Sequence, residues 1–382
     1  MISFPAKLHL IVLALLLTLP ACKHSGGRVL EIAYVSGVEV NLRDRVAQAF
    51  DKVGLVKNGD RVEVLDHDRR FVKVRTAAGQ TGWMEQRYLV SQQVYDQLQK
   101  LTADNANDPV QAAGITRSET NLHVEPGRET EHLYQIPAGE KLSLLKRGTA
   151  DKNAAPPRSA AIKPQPPPSE KTGQKRTAAT PGPSSGQNQT PPSPLPSTAV
   201  KPAGPAPVVE DWWLVRDSHG RVGWVLSRMV DLDIPLDVAQ YAEGQRIVAL
   251  FVLNEVEDPQ AQARDKKIPQ YLMVLTEPKD GAPFDFNQIR VFTWNVKRHR
   301  YETAYRERFE GMLPVTQGKE DFGKEGVLPT FAVRVIGQDG QLIEQKYKLN
   351  TPIVRRVLAP GEEPVKHLRK EPKKSAAKKR RR

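Results

Sequence analysis

The sequence predicts a mainly β protein, with two small β-barrels followed by a C-terminal antiparallel sheet or sandwich. Three observations support this. Short runs of β-branched and aromatic residues alternate with Gly, Asn and Asp turns, and one such pattern occurs twice. In addition, residues 150–209 hold 15 of the 31 prolines and no aromatic residue, which predicts a disordered segment. The length of 382 residues allows two or three domains beside such segments.

The net charge of +13 is concentrated in two segments. Residues 366–382 contribute +9 and residues 150–209 contribute +5, while the first 21 residues add +1. The rest of the chain carries a net charge of −2. The predicted folded parts are therefore nearly neutral, which argues against a basic groove for nucleic acid, and no nucleic-acid partner is expected.

Residues 1–21 have the features of a bacterial export signal. Lys7 is followed by a mostly apolar run from Leu8 to Leu19, which is too short to span a bilayer as a helix. The run ends in Leu19-Pro20-Ala21-Cys22, which resembles the lipobox of bacterial lipoproteins. An ordinary secretory signal with an incidental cysteine is the alternative.

The lipoprotein resemblance implies that Cys22 carries lipid, including palmitate, and anchors the chain to a membrane, with residues 22–30 as a tether. A cysteine fits this role because its thiolate is a good nucleophile. Lys23 follows the cysteine, and by the same resemblance this favours the outer membrane, facing the periplasm, in a Gram-negative envelope.

Residues 31–90 form the first copy of a repeated module. Asn41-Leu42 matches Asn121-Leu122 at an offset of 80, and Gly82-Trp83 matches Gly223-Trp224 at an offset of 141. The second copy therefore consists of residues 113–149 and 210–232, with 61 extra residues between two of its strands. The proline-rich segment 150–209 is predicted to be a disordered insertion within this copy.

The order of these motifs resembles the bacterial SH3 domain. Its first copy has Asn41-Leu42-Arg43, Asn58-Gly59-Asp60 and Gly82-Trp83; its second has Asn121-Leu122-His123 and Gly223-Trp224. The resemblance implies two small β-barrels that accompany cell-wall proteins, with peptidoglycan or an envelope protein as the partner.

Five aromatic residues are candidates for ligand binding, because indole and phenol rings combine a large apolar face with a polar edge. They are Trp83, Tyr88, Trp212, Trp213 and Trp224. For Trp83 and Trp224 the alternative is packing within the barrel. Adjacent residues of a strand point to opposite faces, so only one of Trp212 and Trp213 can enter the core unless the other is covered elsewhere. The remaining tryptophan would contact a ligand or another domain of this chain.

Residues 91–104 predict a helix within a linker that covers residues 91–107. Ser91 is a candidate cap, and Val94, Leu98 and Leu101 recur at helical spacing along one face.

Residues 236–358 predict a third β-rich domain. Strands are expected at 247–256, 270–276, 288–295 and 331–336, with hairpin turns at 295–300 and 338–340. About 120 residues are too few for a β-propeller of four or more blades. A single antiparallel sheet or a sandwich is therefore expected.

The residues available in this third region restrict its chemistry. It contains no serine, no cysteine and one histidine, His299, which we interpret as an exposed loop residue. A Ser–His–Asp triad, a Cys–His peptidase and a His-rich zinc hydrolase all lack their parts there. No catalytic residue, metal or cofactor is expected. A carboxylate-based wall hydrolase remains as an alternative, with Asp285, Glu302 and Glu307 as its candidates.

Residues 359–382 predict a disordered basic tail. It could contact anionic lipid, lipopolysaccharide or wall carboxylates, or it could only improve solubility. The residues expected to contact an anionic surface are Lys373, Lys374, Lys378, Lys379, Arg380, Arg381 and Arg382.

Together these features predict a lipid-anchored, non-enzymatic binding or tethering protein of the cell envelope. An assembly scaffold that recruits another envelope protein and the carboxylate-based hydrolase are the two alternatives.

Overall fold

The computed structural model describes residues 28–46, 51–154, 207–261 and 264–358. The predicted export signal, Cys22, most of the proline-rich insertion and the basic tail lie outside this range. The described residues up to Tyr95 belong to one compact unit, and those from Asp96 onward belong to a second. The fold is mainly β, as the sequence predicts.

The first unit is built on a seven-stranded antiparallel sheet, the first sheet. Its strands are β1 (Glu31–Val35), β2 (Glu39–Arg43), β3 (Lys52–Lys57), β4 (Arg61–Asp68), β5 (Phe71–Thr76), β6 (Thr81–Glu85) and β7 (Leu89–Ser91). They lie in the order β3-β2-β6-β5-β4-β1-β7. The core consists of alternate strand residues such as Val62, Val64, Val72 and Met84, because successive side chains of a strand point to opposite faces.

The second unit begins with a sheet of the same topology, the second sheet. Its strands are β8 (Ala112–Thr116), β9 (Thr120–His123), β10 (His132–Ile136), β11 (Lys141–Asp151), β12 (Val209–Arg216), β13 (Val222–Leu226) and β14 (Val230–Leu232). Their order, β10-β9-β13-β12-β11-β8-β14, repeats that of the first sheet strand for strand. Even the register shift between Val64 and Asp66 recurs between Leu144 and Lys146.

The insertion lies at the tip of the β11–β12 hairpin. Pairing continues to Asp151 opposite Val209, and the Lys152 amide donates to the Val208 carbonyl at 2.7 Å. The paired strands therefore extend slightly into the range 150–209 that the sequence assigned to the insertion.

Helix α1 (Gln92–Asp104) confirms the predicted helix, although Ser91 ends β7. Its last turn contacts the second sheet. Leu101 packs against the cluster of Leu145, Leu214 and Val222, and the Val222 amide donates to the Thr102 hydroxyl at 3.0 Å.

The third sheet follows the short helix α2 (Leu236–Ala239). Its strands are β15 (Arg246–Glu257), β16 (Lys267–Thr276), β17 (Phe286–Asn295), β18 (Arg300–Asp321), β19 (Val327–Ile336), β20 (Leu342–Asn350) and β21 (Ile353–Val357). Each strand pairs antiparallel with the next, so the domain is a single meander. The four expected strands and both hairpin turns are present. The full length of β18, and β20 and β21, were not predicted.

The third sheet belongs to the same compact unit as the second. The buried Gln111 amide joins them, because its oxygen accepts from the Val315 amide at 2.8 Å and its nitrogen donates to the Val315 carbonyl at 3.2 Å. Among the residues that the structure describes, no helix is long and apolar enough to cross a membrane.

Candidate functional site

The outward-facing side of β2, β5 and β6 carries the first candidate site, which we call the outer face. Trp83 on β6 lies directly opposite Lys73 of β5 and Arg43 of β2. These side chains point away from the core because Val72 and Met84, their neighbours in sequence, are buried in it. Trp83 is half-buried, so part of its indole surface remains accessible.

Cationic side chains surround the aromatic residues of this face. The guanidinium carbons of Arg43 and Arg70 lie 5.5 and 5.3 Å from the Phe71 ring centroid, within the range of cation–π attraction. Phe71 itself is buried beneath them. The outer face therefore combines aromatic surface with positive charge.

Tyr88 has a mainly structural environment. Its half-buried ring packs against the core of the first sheet, and Arg87 lies 4.7 Å over the ring and donates to its hydroxyl at 2.8 Å. Tyr88 therefore covers one end of the core rather than presenting a free aromatic face.

Helix α1 packs against part of the corresponding face of the second sheet. Leu214 replaces Lys73 there, and Trp224 corresponds to Trp83. Leu101 of α1 packs against the cluster of Leu145, Leu214 and Val222, and Trp224, half-buried like Trp83, packs against the same cluster. The loss of a positive charge and the gain of apolar area explain why a helix can pack on this copy of the face.

Trp212 and Trp213 are both buried, with 2% and 6% of their surfaces exposed. They point to opposite faces as expected. Trp212 contacts the His123 ring edge-on, with the centroids 5.3 Å apart. Trp213 lies opposite Arg147 and lines a small cavity together with Arg246 of the third sheet. Of the two roles considered for the second tryptophan, the structure favours a contact between domains of this chain.

A buried ionic network lies beside Trp213. The carboxylate of Asp211 is fully buried and accepts from Arg147 at 2.5 Å and from Arg246 at 2.9 Å. It also accepts from the Gly281 amide at 3.0 Å. This network joins the second sheet to the third, and its ions are paired and hydrogen-bonded, as buried charges must be.

Asp285, one of the hydrolase candidates, lies at this junction, and its side chain is largely shielded from solvent. It is 13% exposed, its backbone carbonyl accepts from Arg147 at 2.5 Å, and its carboxylate accepts from the Leu313 amide at 2.8 Å. Burial raises the pKa of this carboxyl above its ordinary value.

The other two candidate carboxylates are also engaged. Glu302 accepts from Asn295 and Arg298 at 2.9 and 3.0 Å. Glu307 accepts from the hydroxyls of Tyr305 and Tyr347 at 2.6 and 2.7 Å.

The strand register places the three carboxylate-bearing residues well apart along the backbone of β17 and β18. At about 3.3 Å per residue, Asp285 lies about 26 Å along the strand from the position opposite Glu302. The position opposite Glu307 lies about 13 Å from each of them on the same basis. Glycosidase pairs require about 5–9.5 Å.

A cavity of about 590 Å³ at one end of the third sheet was not predicted. Its walls include Tyr241, Trp294 and Tyr301, and its rim includes His299 and Gln260. Trp294 donates from Nε1 to the buried Asp258 carboxylate at 2.8 Å and contacts the Tyr301 ring edge-on at 5.0 Å.

His299 is an exposed loop residue, as the sequence predicts, and it is also held by a bond to Asp258. It lies in the β17–β18 turn with φ 47°, its side chain is 42% exposed, and its Nδ1 lies 2.8 Å from the Asp258 carboxylate. The Trp294, His299 and Gln260 bonds together hold the pKa of Asp258 below its ordinary value. Because Nδ1 is engaged by Asp258, Nε2 is the ring nitrogen of His299 that can meet another group.

In the part of the chain that the structure describes, no group of three or more His, Cys, Asp or Glu side chains could hold a metal ion. Cys22 and the seven basic residues named for the tail lie outside that part.

The family comparison concerns the first sheet. Residues 37–90 match the model of the bacterial SH3 domain. This part of the chain is therefore a bacterial SH3 domain. The resemblance recognised in the first module is thereby confirmed, and the outer face with Trp83 belongs to this SH3 domain. The second sheet shares its strand order, while the family match is confined to the first.

Comparisons over the whole chain add no assignment. No curated protein matches it. Among solved structures, it is similar to NlpC2 from Trichomonas vaginalis (9% identity, 87% of this chain and 97% of that one, TM-score 0.16) and to NlpC1 from the same organism (9%, 87% and 92%, TM-score 0.16). It is also similar to an NlpC/P60 family protein from Bacillus cereus ATCC 10987 (11%, 84% and 95%, TM-score 0.20). At these TM-scores the likenesses carry neither a fold nor an activity to this chain.

The sequence identified Trp83 through the Gly82-Trp83 motif, but it did not predict the cavity of the third sheet. The spacing of Trp294, His299 and Tyr301 around a predicted turn was a visible signal. Asp258 directly follows the end of β15, so only the folded sheet brings it close to Trp294, His299 and Tyr301.

Proposed function

We propose that this protein is a lipid-anchored, non-enzymatic component of the bacterial cell envelope that binds peptidoglycan through its SH3 domain. Cys22 is the lipid attachment site in this proposal, and the chain faces the periplasm from the outer membrane of a Gram-negative cell. The basic tail contacts anionic lipid, lipopolysaccharide or wall carboxylates by charge alone.

The observation that carries the proposal is the chemistry of the outer face. The half-buried Trp83 lies between Arg43 and Lys73 on a domain of a wall-associated family. The stem peptides of peptidoglycan carry carboxylates beside small apolar side chains. A surface with aromatic area and positive charge matches both features.

The equivalent position in the second sheet provides a natural comparison. Trp224 lies in the corresponding place, but the residues opposite it are Leu214 and the buried His123, whose pKa is lowered to about 4. Because neither supplies the positive charge that Arg43 and Lys73 provide beside Trp83, wall binding is assigned to Trp83 and not to Trp224.

Pelleting with purified peptidoglycan sacculi tests the proposal. The full chain in mild detergent should co-sediment at low salt, and Trp83→Ala should reduce retention about tenfold, since losing an aromatic contact in a binding site costs more than 1 kcal/mol. Lys73→Glu should also weaken retention, because its new charge repels the stem-peptide carboxylates. Its defect relative to the wild type should grow as the salt concentration is lowered, since salt screens this repulsion. Trp224→Ala is the matched control and should retain wild-type binding.

Four results would contradict the proposal. Absence of retention at low salt would remove the wall-binding role, and equal loss in both tryptophan variants would remove the assignment to the outer face. Release of soluble muropeptides during incubation would contradict the non-enzymatic role. Crosslinking in intact cells to an envelope protein, without any to the wall, would favour the scaffold instead.

A further inference from the structure

We propose that the cavity at the end of the third sheet is a saccharide-binding site for an uncharged sugar. It lies in the second unit, far along the sequence from the SH3 domain, and the inference stands without the proposed function. The cavity volume of about 590 Å³ is within the range of small-ligand sites and would hold about two or three sugar rings.

The aromatic wall is held rigidly by its own hydrogen bonds. Trp294 Nε1 donates to Asp258 at 2.8 Å, and the Tyr301 hydroxyl donates to the Pro269 carbonyl at 2.9 Å. Tyr241 packs against Phe292, with ring centroids 5.2 Å apart. Because these contacts fix the rings in place, a flat ligand can stack on Trp294 without paying an ordering cost.

The rim supplies the hydrogen-bonding groups that sugar hydroxyls need. Nδ1 of His299 is engaged by Asp258, so Nε2 is the ring nitrogen that can hydrogen-bond a sugar hydroxyl, which both donates and accepts. The side chains of Asp237 and Gln260 also line the cavity and make no hydrogen bond to another of the described residues. A pyranose offers an apolar face for the indole and an edge of hydroxyls for these groups.

The charges of the cavity disfavour an anionic ligand. Asp237 and Asp258 are both acidic, and the one arginine of the lining, Arg300, pairs with Glu302 at 3.3 Å. A purely apolar ligand would leave the polar rim unpaired, which is costly on burial. An uncharged, hydroxyl-rich ligand satisfies both restrictions.

The five tryptophans of the chain allow a direct test. The full chain is labelled with 5-fluorotryptophan and titrated with chitotetraose, cellotetraose and maltotetraose, while ¹⁹F NMR follows the resonances. At least one sugar should shift the Trp294 resonance, assigned with Trp294→Phe, with a Kd of about 1 mM or tighter. The other four resonances should stay in place.

The rim residues give variants of the site, and Gln260→Ala, at an exposed position, should fold normally. His299→Ala and Gln260→Ala should each weaken binding about fivefold, as expected for one lost hydrogen bond. Trp83→Ala should bind the sugars like the wild type, which separates this site from the outer face. The proposal fails if none of the three sugars moves the Trp294 resonance at 10-fold the expected Kd. It also fails if the shift persists unchanged in the His299→Ala, Gln260→Ala double variant.

Discussion

At the scale of single residues, corresponding positions of the two related sheets have acquired different roles. Arg43 lies over Phe71 in the first sheet, and in the second His123 lies against Trp212. Arg43 keeps its charge on a partly exposed surface, whereas His123 is only 8% exposed. Burial and the neighbouring His132 lower the pKa of His123 from 6.5 to about 4. One substitution thus converts a charged surface residue into a neutral buried one.

This lowered pKa predicts that the second unit loses stability in mild acid. The unfolded chain takes up a proton at His123 below pH 6.5, while the folded chain resists it until about pH 4. Above pH 6.5, this difference in pKa therefore contributes about 3 kcal/mol to the free energy of unfolding. That contribution is lost as the pH falls from 6.5 towards 4. Urea denaturation from pH 7 to 4.5, followed by tryptophan fluorescence, measures this slope.

Two variants identify the source of that slope. His123→Gln cannot titrate and should flatten the dependence between pH 6.5 and 5, where few carboxylates titrate. His219→Gln alters an exposed histidine and should leave it unchanged. A slope that survives His123→Gln would show that another group causes it.

At the scale of elements, the β11–β12 hairpin shows how a long insertion is accommodated within a sheet. In the first sheet, Arg69 and Arg70 alone connect β4 to β5. In the second, the equivalent strands remain paired up to Asp151 and Val209, and the insertion leaves from their ends. Each doubling of loop length costs only about 0.6 kcal/mol, so the sheet can tolerate it.

Removing the insertion should therefore stabilise the second unit. Replacing residues 153–207 with Asn-Gly, which suits a two-residue hairpin, should raise the free energy of unfolding by about 2–3 kcal/mol through reduced loop entropy. Urea denaturation with tryptophan fluorescence measures the change. A variant whose residues 155–206 are shuffled keeps length and composition and should match the wild type. A deletion variant that is less stable than the wild type would mean that the insertion supports the fold.

At the scale of the whole molecule, the positive charge is concentrated in two segments of the sequence. The segments 150–209 and 366–382 carry +14 between them, and the remainder of the chain beyond residue 21 carries −2. This distribution predicts that electrostatic attraction to an anionic surface comes from the two segments. Attachment to the membrane would depend on Cys22, because lipid chains provide far more binding energy than a few lysines.

Cys22→Ser should accordingly release the protein from the membrane fraction. Cells fed labelled palmitate should label the wild-type chain and not this variant, and fractionation should move the variant to the soluble periplasmic fraction. Removal of residues 366–382 is the control and should leave the palmitate label in place. Label incorporation that persists in Cys22→Ser would contradict the lipoprotein assignment.

The amino-acid sequence alone determined the β class, the duplicated module, the SH3 resemblance, helix α1 and four strands of the third sheet. These depend on local patterns: alternation along a strand, turn residues and helical spacing. β18 was largely missed because charged residues such as Arg306 and Glu310 interrupt its pattern, although neighbouring strands pair with it.

Only the tertiary structure decided which predicted residues have accessible surfaces. Trp83 and Trp224 are both half-buried, whereas Trp212 and Trp213 are both buried. The Asp211 network and the cavity around Trp294 join residues more than 30 positions apart in the chain. Such contacts arise from the packing of whole sheets, and local sequence patterns carry no record of which surfaces will meet.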